Sequence, residues 1–87
     1  MAELVHAGFG HYIAVADILA LANMHPGSAP IVSRVREAKR DGRVLDLTAG
    51  RRTKTAVFTR SGAVVLTAHT AASLAGRVRA ATLGEDE

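Results

Sequence analysis

Between Arg43 and His69 the chain spells three short β-rich runs, RVLDLTA, TKTAVFT and AVVLTAH, separated only by turn signals. Each is too short for a helix and rich in Val, Leu and Thr, so each reads as a strand that must find a neighbour. Arg60-Ser61-Gly62 is short enough to join the last two as a tight hairpin. Ala49-Gly50-Arg51-Arg52 predicts a second hairpin, with Gly50 at positive φ. Three strands in close succession fix the centre of the fold as a small, mostly antiparallel sheet.

The flanking segments supply the rest. LVHAGFGHYIAV reads as strand, glycine-permitted turn and strand, with a tight turn around a packed Phe9. Pro26-Gly27 breaks the apolar stretch that follows. Ser28 and Pro30 then punctuate a helix start, and Gly42 its stop. Within IVSRVREAKRDGR, Ile31, Val35 and Ala38 share one helical face. TAASLAGRVRAATL closes the chain as a second amphipathic helix, with Thr70 as cap and Leu74, Val78 and Ala81 on one stripe. The expectation is an α+β fold: one mostly antiparallel sheet of four to five strands with two helices, in a single domain over residues 1–87. Residues 84–87, whose last three are Glu85, Asp86 and Glu87, read as a disordered acidic tail.

Composition limits the chemistry. There is no cysteine, which excludes disulfides and thiolate metal sites. The hydrophobic fraction is 48% with only 3% aromatic residues, so the apolar surface is aliphatic. A domain of this size has one small core, and the surplus aliphatic surface favours self-association. No run approaches the ~20 apolar residues of a membrane span. The N-terminus lacks the basic start and apolar segment of a secretory signal, which makes the cytosol the expected location.

No catalytic constellation is visible. There is no Gly-x-Ser-x-Gly elbow, and the serines sit at turns and helix starts. Asp17 and Asp46 are the only acids in apolar contexts, and they are not paired in the sequence. The four histidines, His6, His11, His25 and His69, lack the spacing of a metal site. No enzyme activity, metal, cofactor or small-molecule ligand is expected.

Charge is the informative feature. From Arg34 to Arg60 there are nine cations against three anions, a basic middle suited to nucleic acid or another polyanion. The candidate contacts are Arg51, Arg52 and Lys54, with Arg34, Arg36, Lys39, Arg40 and Arg43 beside them. Glu37 and Asp41 can neutralise part of the helical charge. In extended backbone Arg51 and Arg52 point to opposite sides, while Arg52 and Lys54 point the same way. Arginine suits bidentate grip of phosphate, and Thr53 and Thr55 can add hydroxyl contacts. Aromatic interleaving of the kind used on single strands is absent, which favours duplex DNA. A scaffold for an acidic protein partner and an RNA-binding module remain alternatives. One turn supplies few contacts, so useful affinity requires several copies.

The residues GFG, SAP, REAKRDGRVLDLTAGRRTKTAVF and SGAVVLTA together resemble the RemA family, small bacterial regulators of extracellular-matrix (biofilm) genes. The resemblance covers roughly residues 6–79, and its most specific piece is Asp46-x-Thr48-x-Gly50-Arg51-Arg52-Thr53. It implies a DNA-binding transcriptional regulator of the nucleoid that forms ring-like homo-oligomers and bends or wraps DNA. Arg51 and Arg52 would contact DNA, with Lys54 at a position that is usually basic. The chain departs from the family pattern in carrying Asp17 near a place where members can be basic, and in a longer LALANMHPGSAP stretch.

Overall fold

The computed structural model describes residues 3–24 and 29–83. Its elements run β1 (Leu4–Gly8), β2 (His11–Ala14), a 3₁₀ turn (Val15–Asp17), β3 (Ile18–Asn23), α1 (Ala29–Arg40), β4 (Val44–Asp46), β5 (Thr55–Thr59), β6 (Val64–Thr67) and α2 (Ala71–Leu83). The expected α+β architecture and both helices are present. Among the described residues the strands number six and form two sheets: the β1–β2 hairpin, and a four-stranded sheet ordered β3-β5-β6-β4. The Ser28 cap and the 84–87 tail lie outside the described residues.

One connection differs from the sequence reading. β5 and β6 form the expected hairpin, but β4 pairs with β6, in parallel. The segment 47–54 is therefore no hairpin turn. It carries the chain from the β4 edge past β6 to β5, over the end of the sheet. The physical reason is length: eight residues separate β4 from β5, far more than the two that close a tight hairpin.

Alternation along β5 and β6 divides the core in two. Ala56, Val64 and Leu66 face Val35 and Ala38 of α1. Val57 and Val65 face the other way, toward Leu74 of α2, Val5 and Ala7 of β1, and Leu47. The sheet is thus sandwiched between α1 on one face and α2 with the β1–β2 hairpin on the other. This explains why β5 and β6 are buried along nearly their whole length and read as continuous apolar runs. Each fully buried Val or Leu contributes about 1.5–3 kcal/mol of transfer free energy. Thr70 caps α2, its Oγ1 accepting from the Ser73 N–H at 3.1 Å. Val78 and Ala81 pack beside Leu74, as their spacing predicts.

The two ends of the sheet are chemically different. At one end lie the β5–β6 turn, the 3₁₀ turn with Asp17, and the junction of α1 with β4. At the other lies the 47–54 loop, beside Asn23 at the close of β3, which pairs with Thr55.

Candidate nucleic-acid interface

The 47–54 loop is built as a rigid mount. Leu47 N–H donates to the Leu66 carbonyl at 2.8 Å, extending β4 along β6. Asp46 Oδ1 then accepts from the Thr48 N–H at 2.8 Å and from Thr48 Oγ1 at 2.6 Å. These two bonds, the hydroxyl first, hold the Asp46 carboxyl below its ordinary pKa, with Lys39 adding a smaller effect in the same direction. Next comes a turn in which Arg51 N–H donates to the Thr48 carbonyl at 3.0 Å. Its central residues, Ala49 and Gly50, have φ of 53° and 83°, the doubly left-handed turn that Gly50 makes accessible. The chain rejoins the sheet where Lys54 N–H donates to Thr67 O and Lys54 O accepts from Met24 N–H, both at 2.9 Å.

Buried threonines anchor the base. Thr55 Oγ1 donates to the His69 carbonyl at 2.8 Å, and Thr67 Oγ1 donates to the Ala7 carbonyl at 2.9 Å. Thr67 Oγ1 also accepts from the His69 N–H at 3.1 Å. Thr55 and Thr67 are completely buried, so these bonds tie the loop to the β1–β2 hairpin in a water-poor setting.

On this mount Arg51, Arg52 and Lys54 are exposed. Among the described residues, arginine side chains that donate hydrogen bonds are those of Arg43, Arg60 and Arg77. The one salt bridge among the described residues joins Arg43 to Asp41 at 3.1 Å. The three loop cations therefore have no carboxylate or carbonyl partner among the described residues. Arg51 and Arg52 diverge as the sequence predicts. Arg52 and Lys54 share a shallow hollow with Asn23, Met24 and Thr70. Arg51 turns to a different cleft, where its guanidinium lies 5.5 Å from the centre of the Phe9 ring.

Phe9 corrects an expectation: it is 56% exposed and not packed in the core. Gly8, Phe9 and Gly10 all have positive φ, and this left-handed run turns the ring outward under Arg51. A bulky residue at φ 51° is sterically disfavoured, so the surrounding turn holds it there.

The remaining cations are distributed elsewhere. Arg34, Arg36 and Arg40 gather with Glu37 on the outer side of α1. Lys39 acts on Asp46. Arg43 donates to the Gly62 carbonyl at 2.6 Å and to Asp41, at the far end of the sheet from Arg51. The structure thus brings Arg52 together with Lys54, and sets the α1 group on the opposite face from the Arg51 cleft.

Sequence reasoning missed two residues beside Arg51, His6 and His69. Their rings lie 6.2 Å apart across the cleft, although 63 positions separate them in the chain. No spacing rule could pair them. No three His, Asp or Glu side chains among the described residues converge to hold a metal. No described helix is long and apolar enough to cross a membrane.

Known proteins resemble this chain in sequence. A Dehalococcoides mccartyi protein (strain BAV1) named "Putative regulatory protein" is 41% identical over 76 residues, spanning 87% of this chain and 77% of its own length. A Synechococcus elongatus protein with the same descriptive name is 41% identical over 75 residues, 86% of this chain and 84% of its own. One from Coprothermobacter proteolyticus is 44% identical over 64 residues, 74% and 59% respectively. These names describe regulators, not enzymes. The family model described as "Extracellular matrix regulatory protein A-like" matches residues 4–78, and that span includes β1 through most of α2 with the whole 47–54 loop. The chain belongs to the RemA-like family.

Proposed function

We propose that the protein is a DNA-binding transcriptional regulator of the matrix-gene type, acting in the cytoplasm on the nucleoid as a homo-oligomer. The observation that carries this reading is the rigidly mounted trio Arg51, Arg52 and Lys54, exposed and without acidic partners among the described residues. A stiff base spares the backbone-ordering cost when its cations meet phosphate, and arginine forks grip it bidentately. Arg51 and Arg52 are the main contacts and Lys54 an auxiliary. Arg34, Arg36, Lys39 and Arg40 supply flanking charge that a bent duplex meets as it follows the assembly, whereas Arg43 is held by the Gly62 carbonyl and Asp41 at the far end of the sheet.

Oligomerisation has its own support. Both edge strands of the main sheet expose a leucine, Leu19 on β3 at 59% and Leu45 on β4 at 51%. Open edges with apolar side chains are natural pairing surfaces between copies. A ring of subunits would sum single loops into an extended cationic track around which duplex DNA wraps.

The test is a gel shift of Arg51→Ala/Arg52→Ala beside wild type, with size-exclusion chromatography of both. Loss of binding with the same oligomeric mass supports the reading. Unchanged DNA affinity overturns it, and a monomeric wild type overturns the ring.

A further inference from the structure

The cleft beneath Arg51 has features that the loop cations alone do not explain. It encloses about 220 Å³ between the 8–10 turn and the 67–69 segment, with Leu47 among the residues that line it. Arg51 and Phe9 close it on one side, and His6 from the middle of β1 and His69 just beyond β6 line it. That volume is below the ~300–1,000 Å³ of ordinary small-molecule pockets, so it suits a single chemical group.

We propose that this cleft is a phosphate-group site, in which the Arg51 guanidinium and the His69 and His6 rings together surround one phosphate.

Three observations carry the proposal. First, the groups around His69 are basic: His6 and Arg51 line the cleft with it, and Arg77 of α2 reaches the His6 carbonyl behind it. Lys54 of the loop acts on the ring from farther off. No carboxylate lines the cleft among the described residues, so it is an electropositive recess without a counter-charge there. Second, the His69 ring makes no hydrogen bond among the described residues, although its backbone N–H and carbonyl are both engaged. The ring is left to offer a donor to whatever enters. Third, the walls are fixed. His6 Nε2 accepts from the Gly10 N–H at 3.2 Å, its ring stacks obliquely 5.2 Å from Tyr12, and its carbonyl accepts from Arg77 at 2.9 Å. The Phe9 ring sits against the Arg51 guanidinium, restricting where it can swing. A built recess with free donors and unbalanced positive charge matches an anion with several acceptor oxygens.

Burial, with Arg77 as the next cause, lowers the His69 pKa from its ordinary 6.5. An entering phosphate supplies the missing negative charge and raises it again, so occupancy is accompanied by proton uptake on His69. For a phosphodiester, whose charge is constant from pH 7.5 to 5.5, acidification over that range therefore strengthens binding.

The phosphate has two sources, the DNA backbone or a free phosphorylated solute. The first rests on the DNA-binding reading above, and the second does not. The experiment follows the His69 Cε1–H resonance of the wild-type protein through pH titrations, alone, with inorganic phosphate, and with a short duplex. The expected result is an upward move of the His69 midpoint by about one unit or more with at least one of the two anions. A move with the duplex assigns the site to the DNA track, and a move with inorganic phosphate alone assigns it to a free solute. No move with either overturns the proposal. If the duplex binds and the midpoint stays put with both anions, the cleft proposal falls while the DNA reading stands. If the duplex fails to bind, the DNA reading falls and the phosphate titration still decides the cleft. His69→Gln keeps a donor but cannot take the proton, and is expected to remove most of the pH dependence, about tenfold for a one-unit shift. Should that variant misfold, the wild-type titrations are sufficient by themselves.

Discussion

The two ends of the main sheet use arginine in opposite ways. At the β5–β6 end, Arg60 Nε donates to the Ala16 carbonyl at 2.8 Å. Arg43 reaches the Gly62 carbonyl and the Asp41 carboxylate beside it. These side chains fasten the 3₁₀ turn and the α1–β4 junction to the hairpin. At the other end the side chains of Arg51, Arg52 and Lys54 fasten nothing by hydrogen bond among the described residues, and the loop beneath them is held by threonines and backbone instead. Residue type and charge are alike, and what separates the ends is whether the fold already occupies the guanidinium. A count of cations along the chain cannot distinguish them. Occupancy can.

Substitutions at the two ends separate occupied from unoccupied cations. The largest expected effect is on DNA affinity. Two lost arginine contacts, at about 1.4 kcal/mol each, reduce binding roughly 100-fold per engaged subunit, measured by fluorescence anisotropy at fixed salt. Next is Thr67→Val, which strands the Ala7 carbonyl and the His69 N–H near the loop's base. It should cost about 2 kcal/mol in urea unfolding, because those groups are desolvated. Third, Arg60→Ala should lower stability by about 0.5–1 kcal/mol through loss of the Ala16 bond. Arg52→Ala should stay within about 0.5 kcal/mol of wild type. Equal costs for the two would erase the distinction between occupied and unoccupied cations.

The smallest effects are acid-linked. Asp46 is held below its ordinary pKa by Thr48, so its contribution is present above pH 3.8 and lost as pH falls through its folded value. Asp46→Asn keeps an acceptor for Thr48 and should flatten the unfolding free energy over that range. His69 has the same sign in a different window: its contribution holds above pH 6.5 and declines as pH drops below. In the absence of anion, His69→Gln should therefore lose less stability than wild type between pH 6.5 and 5.

Much of this was legible in the sequence. Helical spacing of Ile31, Val35 and Ala38, and of Leu74, Val78 and Ala81, located both helices and the faces they bury. Gly42, Gly50 and Gly62 all have the positive φ that their turn positions suggested. The opposed directions of Arg51 and Arg52 followed from extended geometry. The partner of β4 was not legible, because a local turn signal is the same whether the chain doubles back or crosses a neighbour. Only the eight-residue span of 47–54 carried a hint. Phe9 was misread for a related reason: an aromatic between two glycines fits a buried plug or an exposed platform equally well. The pairing of His6 with His69 depends on β1 lying against the end of β6, a long-range contact that no short window contains.

The most direct measurement of the central claim is the salt dependence of DNA binding for two charge-matched double variants, Arg51→Ala/Arg52→Ala and Arg43→Ala/Arg60→Ala. Each removes two positive charges, one pair from each end of the sheet. The loop pair should lower the steepness of log K against log salt by about 0.9 for every phosphate contact it deletes, while the other pair leaves the slope near wild type. An equal reduction for both pairs would contradict the account, because net charge, and not the unoccupied loop, would then govern binding.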